Sequence, residues 1–246
     1  MESRRRVFLY QSAKGYRYNS DTIFLYDFVS RFAPKGRLLD IGCGSGILSL
    51  LLARDFPVDV TAVEKQAEVA LYAGHNYSLN AVPVSLREGD FLKLPFDERF
   101  DYIVSNPPFY GGGSLRSPNS SVDISRHAEH LPADELVKRT ASLLENRGYF
   151  IFCYDAKQCD LLLSLLREAK INPEYLRFVH PKADREAKIV LIAARKGSRA
   201  LLRVLPPLIV FDGNGEYAAE ALEAFRRANT HSIKGERWIE ERECTR

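Results

Sequence analysis

The quartet Asn106-Pro107-Pro108-Phe109 concentrates residue types that can do chemistry. Two consecutive prolines fix the backbone and remove two N–H donors, which lets neighbouring carbonyl oxygens point into a cavity. Asn106 adds a side-chain acceptor and Phe109 an aromatic face. A planar amino group set between the Asn106 oxygen and the Pro107 carbonyl would donate two hydrogen bonds while its ring lies on Phe109. Such a clamp suits reaction at a conjugated nitrogen, where hydrogen bonds that form best as the nitrogen pyramidalises favour the transition state.

Earlier in the chain, Asp40-Ile41-Gly42-Cys43-Gly44-Ser45-Gly46 sets a carboxylate beside three glycines. Glycines allow a tight turn and let backbone pass close to a ligand. The spacing is neither G-x-G-x-x-G nor G-x-x-x-x-G-K-[ST], so the dinucleotide fingerprint and the phosphate-binding loop both fail. Glu64 follows Asp40 by 24 positions and can accept from both hydroxyls of a ribose. In Gly89-Asp90-Phe91, Asp90 can accept from an adenine amino group and Phe91 can pack near the ring. A glycine loop followed by acids at successive strand ends fits an adenosine-containing cofactor.

These residues act together only if the fold brings them to one edge. The spacing predicts a helix over 22–32, with Asn19-Ser20-Asp21 as cap candidates and a stop before Pro34. Strands follow over 37–41, 58–63, 84–87, 100–105, 149–154, 175–179 and 189–194, with helices over 47–56, 65–80, 133–145 and 157–169 between them. That alternation implies an α/β fold, doubly wound around a mostly parallel seven-stranded sheet. About nine residues join the last two strands, too few for a helical crossover, so the last strand should be antiparallel. Beyond Lys196, residues 200–205 and 208–211 read as an extra extended pair and 216–228 as a helix; the polar end from 226 onward is expected to be partly disordered. The expected division is an N-terminal segment (1–33), a core (34–196) and a small C-terminal extension (197–246).

The chain has 246 residues, 46% hydrophobic and 27% charged, which fits one folded domain with attachments rather than a disordered chain. No apolar run approaches the roughly 20 residues a spanning helix needs. Only Val7-Phe8-Leu9-Tyr10 follows the basic start, too short for a signal peptide. Four scattered cysteines (Cys43, Cys153, Cys159, Cys244) form neither a disulfide framework nor a zinc spacing, so reduced thiols in the cytoplasm and no metal are expected. With 35 Lys+Arg against 32 Asp+Glu, the net charge of +3 names no partner. Any nucleic-acid contact must therefore come from clusters: Lys182, Arg185 and Lys188; Arg195, Lys196, Arg199 and Arg203; and Arg4-Arg5-Arg6.

Together these motifs resemble the Rossmann-like class I S-adenosylmethionine-dependent methyltransferases, in particular the group whose N-P-P-[FY] motif serves planar amino or amide nitrogens. Adenine-N6, guanine-N2 and release-factor glutamine-N5 methyltransferases share that motif. Gly15-Tyr16-Arg17-Tyr18-Asn19-Ser20-Asp21-Thr22, Ser125-Arg126-His127, the stretch 180–188 and Leu205-Pro206-Pro207-Leu208-Ile209-Val210 are similar to bacterial adenine-N6 methyltransferases that modify valine tRNA beside the anticodon. The Arg-rich start and the residues past Asn229 depart from that pattern.

The resemblance implies S-adenosyl-L-methionine across the carboxyl edge of the sheet. Asp40 with Gly42, Gly44 and Gly46 would hold its methionine part, Glu64 its ribose, and Asp90 with Phe91 its adenine. Tyr18 and Asp21 would approach the methionine end, with Asn106 between cofactor and substrate. Asn106, Pro107 and Phe109 would be catalytic; Pro108, Tyr110, Arg126, His127, Lys182, Arg185 and Lys188 would face the substrate, a tRNA. Its target base must leave the stack, which favours loops over duplex. A guanine-N2 RNA methyltransferase stays open, because its amino group fits the same clamp. Having about 33 residues ahead of the sheet disfavours a glutamine-N5 protein methyltransferase, and the intact quartet, Asp40 and Glu64 disfavour an RNA-binding assembly factor.

Overall fold

Strong apolar segments separated by helices produce the expected sheet in the computed structural model, which describes residues 4–11, 19–107 and 131–234. In chain order the elements are β1 (Val7–Gln11), α1 (Ser20–Ser30), β2 (Gly36–Ile41), α2 (Ile47–Asp55), β3 (Val58–Glu64), α3 (Ala67–Leu79), β4 (Val84–Glu88) and β5 (Phe100–Ser105). Then come α4 (Ala133–Leu143), β6 (Leu144–Asp155), α5 (Cys159–Glu168), β7 (Ile171–His180), β8 (Ile189–Lys196), β9 (Arg203–Val204), β10 (Leu208–Ile209), α6 (Ala219–Ala228) and β11 (Thr230–Lys234). The main sheet runs β10-β7-β8-β6-β5-β2-β3-β4, with β9 also on β7. Only β8 is antiparallel to its neighbours, as its short connection requires.

Alternate residues of the central strands feed two separate cores. Leu38, Ile151 and Leu191 meet α1, α2 and α6 on one face; Leu39, Phe150, Phe152 and Ile192 meet α4 and α5 on the other. Burial on both faces explains why these strands read as near-continuous apolar runs. With β3 on one side and β5 on the other, β2 marks the point where the strand order reverses, the place where open sheets hold ligands. Among the described residues, no helix is long and apolar enough to cross a membrane.

The C-terminal extension departs from expectation. Residues near 203 and 208 do not pair with each other; Arg203 lies against Tyr175 and Leu208 against Val179, so both short strands extend the outer edge of β7 in parallel. Pro206 and Pro207 supply no N–H groups for a hairpin ladder, whereas Leu205 N and Val210 N donate to Leu176 O (2.8 Å) and His180 O (2.9 Å) of β7. The last helix starts at Ala219 rather than 216, because Asp212 caps a turn by accepting from Asn214 N and Glu216 N.

Within the end expected to be partly disordered, the described residues run as far as Lys234. β11 pairs in parallel with β1, from Val7 against Thr230 to Gln11 against Lys234. Its sequence is mostly polar, and what holds it comes from elsewhere in the chain. The buried Arg54 guanidinium donates to the carbonyls of Arg5 (3.0 Å), Arg227 (3.0 Å) and Ala228 (2.7 Å) while pairing with Asp55 at 2.7 Å. Arg4 joins the same knot, donating to Tyr26 Oη at 3.1 Å beside Asp55. On the other edge of β1, side-chain amides of α3 and its C-terminal cap act in place of a strand: the cap residue Asn80 exchanges hydrogen bonds with Phe8, and Asn76 with Tyr10. Residues 235–246 lie outside the described residues.

Candidate active site

Strand register sets the candidate residues in one row. Ile41 faces Val63 on one side and Ser105 on the other, and Ser105 faces Phe152. One step further along these parallel strands stand Gly42, Glu64, Asn106 and Cys153, side by side at the carboxyl edge. The glycine loop and the asparagine therefore emerge as neighbours at the reversal point of the sheet.

The loop leaves β2 through left-handed backbone. Gly42 has φ +69°, and a Cβ there would meet no atom within 4 Å, so the loop presents bare backbone to open space. Gly42 N and Cys43 N both donate to Val63 O (2.9 and 3.0 Å). Glu64, buried at the end of β3, accepts from Gly44 N and from Gln66 N, each at 2.9 Å, and so ties the loop to the strand. Gly46 (φ +85°) opens α2 directly over Tyr77, whose ring carbon Cε1 would lie 2.6 Å from an added Cβ. Ser45 is buried in the same loop, and its Oγ has no hydrogen-bond partner among the described residues.

Asp40 differs from the sequence reading, which sets it against the ligand. It is 1% exposed, and its Oδ2 accepts from Ser49 Oγ at 2.6 Å in the first turn of α2. Its carboxylate supports the loop from beneath. Burial pushes that carboxyl up to about 7, with Ser49 hydrogen bonds pulling down and the charge of Glu64 adding to the rise. Phe91 is likewise a core residue, 4% exposed and packed with Leu39, Ile41 and Val63 beside Phe96, so its ring lies under the edge instead of on it. The Asp90 carboxylate accepts from Leu92 N at 3.0 Å and lies 3.6 Å from Lys65 Nζ.

Across the row, the Asn106 amide is held at both ends. Its Nδ2 donates to Thr22 Oγ1 at 2.7 Å, and Cys153 Sγ donates to its Oδ1 at 2.7 Å. Pro107 follows, buried. Thr22 and Asp21 come from the first turn of α1, so the N-terminal segment reaches the edge beside β5 and β6. Burial raises the Asp21 carboxyl against hydrogen bonds from Asn19 and Ser20. Burial first, then the charge of Asp21, raises the Cys153 thiol well above its ordinary value. Sequence reasoning missed Thr22 and Cys153 as members of the site; their signal lies in the β5–β6 register and the docking of α1, which no local pattern encodes. Tyr18, Pro108, Phe109, Tyr110, Arg126 and His127 lie outside the described residues.

The connection 181–188 shares this edge, because β7 runs parallel to β6 and Ile189 lies between Val179 and Asp155. Arg185 and Lys188 are exposed and Lys182 half-buried, with the turn closed by Arg185 N donating to Lys182 O at 3.1 Å. The other two basic clusters are not at this edge. Arg195 and Lys196 end β8 at the opposite edge, where Arg195 donates to Arg147 O and Lys196 to the carbonyls of Ala141 and Leu144. Arg4 lies there too, at the carboxyl end of α2. Of the three clusters, the hairpin is the one that shares the edge with Asn106 and the glycine loop.

A family model described as the methyltransferase small domain matches residues 19–158, spanning the loop, the row and the quartet. The chain belongs to this methyltransferase family. This methyltransferase is 31% identical over 160 residues to a tRNA1(Val) (adenine(37)-N6)-methyltransferase of Phocaeicola vulgatus, covering 63% of the chain and 67% of the relative. A protein of the same name from Cytophaga hutchinsonii is 29% identical over 205 residues, or 77% of the chain and 80% of the relative. In fold it is similar to a crystal structure of a predicted O-methyltransferase from Agrobacterium tumefaciens, with TM-score 0.66 at 18% identity, covering 87% of the chain and all of that structure. The methyl donor is S-adenosyl-L-methionine. The loop fits it: bare backbone at Gly42, an orphaned buried hydroxyl at Ser45 and a fixed carboxylate at Glu64 form a polar cradle at the reversal point.

Proposed function

We propose that this methyltransferase transfers a methyl group to the exocyclic N6 of an adenosine in tRNA, adenosine 37 of a valine tRNA, beside the anticodon. The observation that supports it most is the adjacency of Asn106 to the glycine loop, which sets an amide clamp for a planar nitrogen against a donor cradle. The relatives named for that reaction add the substrate. Gly42, Gly44 and Gly46 would hold the methionine part of the donor with Tyr18 and Asp21 nearby, Glu64 would face the ribose, and Asp90 the adenine. The core for this would be 34–196, with 1–33 an N-terminal segment carrying an upstream cofactor and substrate motif and 197–246 a C-terminal extension. The reduced thiols and a tRNA substrate support a cytoplasmic enzyme.

When bound, S-adenosyl-L-methionine supplies a methyl group already activated on a sulfonium. The chain's task is then mainly proximity and alignment. Asn106 Oδ1 and the Pro107 carbonyl accept the two N–H groups of the target amine. Those bonds favour a pyramidal nitrogen and so return lone-pair density to it as it attacks. Phe109 would orient the ring. No strong base is needed, because the proton leaves the nitrogen after the methyl group has arrived. Lys182, Arg185 and Lys188 would meet phosphates, with Pro108, Tyr110, Arg126 and His127 closer to the base.

Incubation of isotope-labelled S-adenosyl-L-methionine with tRNA lacking the modification, followed by nucleoside analysis, tests this reading. N6-methyladenosine is the expected product. Asn106→Ala should abolish turnover and leave affinity for S-adenosylhomocysteine nearly intact. Recovery of N2-methylguanosine, transfer only to protein glutamine, or no transfer at all would overturn it.

A further inference from the structure

Asn106 can serve as an acceptor only if its amide is turned the right way. An asparagine amide has two seatings that differ by a half-turn, and the wrong one would present donors to a donor amine. Two side chains that the chemistry above does not use bear on that choice. Cys153 is fully buried with its Sγ 2.7 Å from Asn106 Oδ1, and Thr22, 3% exposed, accepts from Nδ2 at 2.7 Å. A half-turn would set the amide NH2 against the thiol at that same separation, where sulfur is only a weak acceptor, whereas the Thr22 hydroxyl can donate or accept and so anchors the amide without choosing its face. Burial and the nearby charge of Asp21 keep the thiol protonated, and so a donor, throughout the physiological range.

We propose that Cys153 and Thr22 are positioning residues for methyl transfer: the thiol sets the Asn106 oxygen to accept the target amino group, and Thr22 anchors the nitrogen end of the same amide. This rests on the amine-methylating function above. One lone pair of Oδ1 is spent on the thiol and the other receives the substrate N–H. The pairing also makes the clamp depend on α1: Thr22 sits in its first turn, so the chain ahead of the sheet has a direct hold on the reacting residue.

Four variants test this: Cys153→Ala, Cys153→Ser, Thr22→Val and Thr22→Ser, assayed with unmodified valine tRNA transcript for kcat and KM, and by calorimetry with S-adenosylhomocysteine. Loss of one orienting hydrogen bond should lower kcat about 10-fold in Cys153→Ala and Thr22→Val. KM for tRNA and affinity for S-adenosylhomocysteine should stay within about twofold, since neither residue is expected to hold ligand. Both serine variants keep a hydroxyl and should recover most of the lost rate. Thr22→Val preserves volume, so the test stands even if Cys153→Ala leaves too large a cavity to fold. Full kcat in the Ala and Val variants, or serine variants as impaired as they are, would refute the inference alone. If the wild-type protein forms no N6-methyladenosine, the functional reading falls and takes this inference with it.

Discussion

Replacing Asp40 by asparagine removes a titrating group from beneath the glycine loop, and the sign of the effect follows from its burial. Burial carries the carboxyl from its ordinary 3.8 to about 7, against the pull of Ser49. The unfolded chain ionises this group at the ordinary value. Between about pH 4 and about pH 7 the folded protein therefore holds a proton that the unfolded chain has released. Stability contributed by Asp40 is complete below about pH 4 and falls as the pH rises through about 7. The whole span corresponds to about 4 kcal/mol, of which about 2 to 3 kcal/mol falls between pH 5 and pH 8.

Asparagine keeps an acceptor for Ser49 Oγ but cannot ionise, so Asp40→Asn should lose the share of the slope that Asp40 contributes to the wild type. The assay is urea denaturation of both proteins at several pH values between 5 and 8. The wild-type unfolding free energy should fall relative to the variant by about 2 to 3 kcal/mol across that range. Curves that stay parallel within about 0.5 kcal/mol would show that Asp40 is ionised throughout, and the account of a carboxylate stranded under the loop would fail.

Two further predictions separate support from binding. Gly46→Ala should destabilise the fold by about 3 kcal/mol, because the added carbon meets the buried Tyr77 ring at 2.6 Å on left-handed backbone. Gly42→Ala meets only the conformational cost of about 1 kcal/mol, yet fills the open face of the loop; denaturation should be little changed and calorimetry should show weakened S-adenosylhomocysteine binding. Equal stability losses in the two would contradict the geometry. Converting Lys182, Arg185 and Lys188 together to alanine should raise KM for tRNA about 10-fold and reduce the slope of log affinity against log salt by about 2, with kcat at saturation retained. An unchanged slope would remove the hairpin from the RNA surface.

How much could be read beforehand depended on whether the signal was local. β2, β3, β5, β6 and β8 announce themselves through apolar runs and β4 and β7 through shorter alternating patterns, and the antiparallel β8 follows from a connection too short to cross. That Gly42, Glu64 and Asn106 end strands was legible for the same reason. Which way a side chain turns was not. Asp40 and Phe91 have the types of ligand-facing residues, yet Ser49 draws one inward and Phe96 with Val63 claims the other for the core. The adjacency of Cys153 to Asn106, 47 positions apart in the sequence, depends on the register of β5 against β6. β11 carries one apolar residue, Ile233, and is held where Arg54 binds the backbone on either side of the β1–β11 ribbon.

Non-local contacts also tie the segment ahead of the sheet to the candidate site. Asn76 spends its amide on Tyr10 at the end of β1, through both Tyr10 N and Tyr10 O, and donates in addition to Ser45 O of the glycine loop at 2.9 Å. At 0% exposure it has no solvent to substitute for any of the three, so movement of β1 against the loop would leave a buried polar group unpaired at a cost of about 1–3 kcal/mol. On the far side, Thr22 fixes the start of α1 to Asn106 at 2.7 Å. The chain is thus pinned to the donor loop at Tyr10 and to the amine clamp at Thr22. On the proposed function these contacts would hold the two halves of the reaction in register, and a change in either pin should alter the alignment of donor and acceptor before it alters the binding of either.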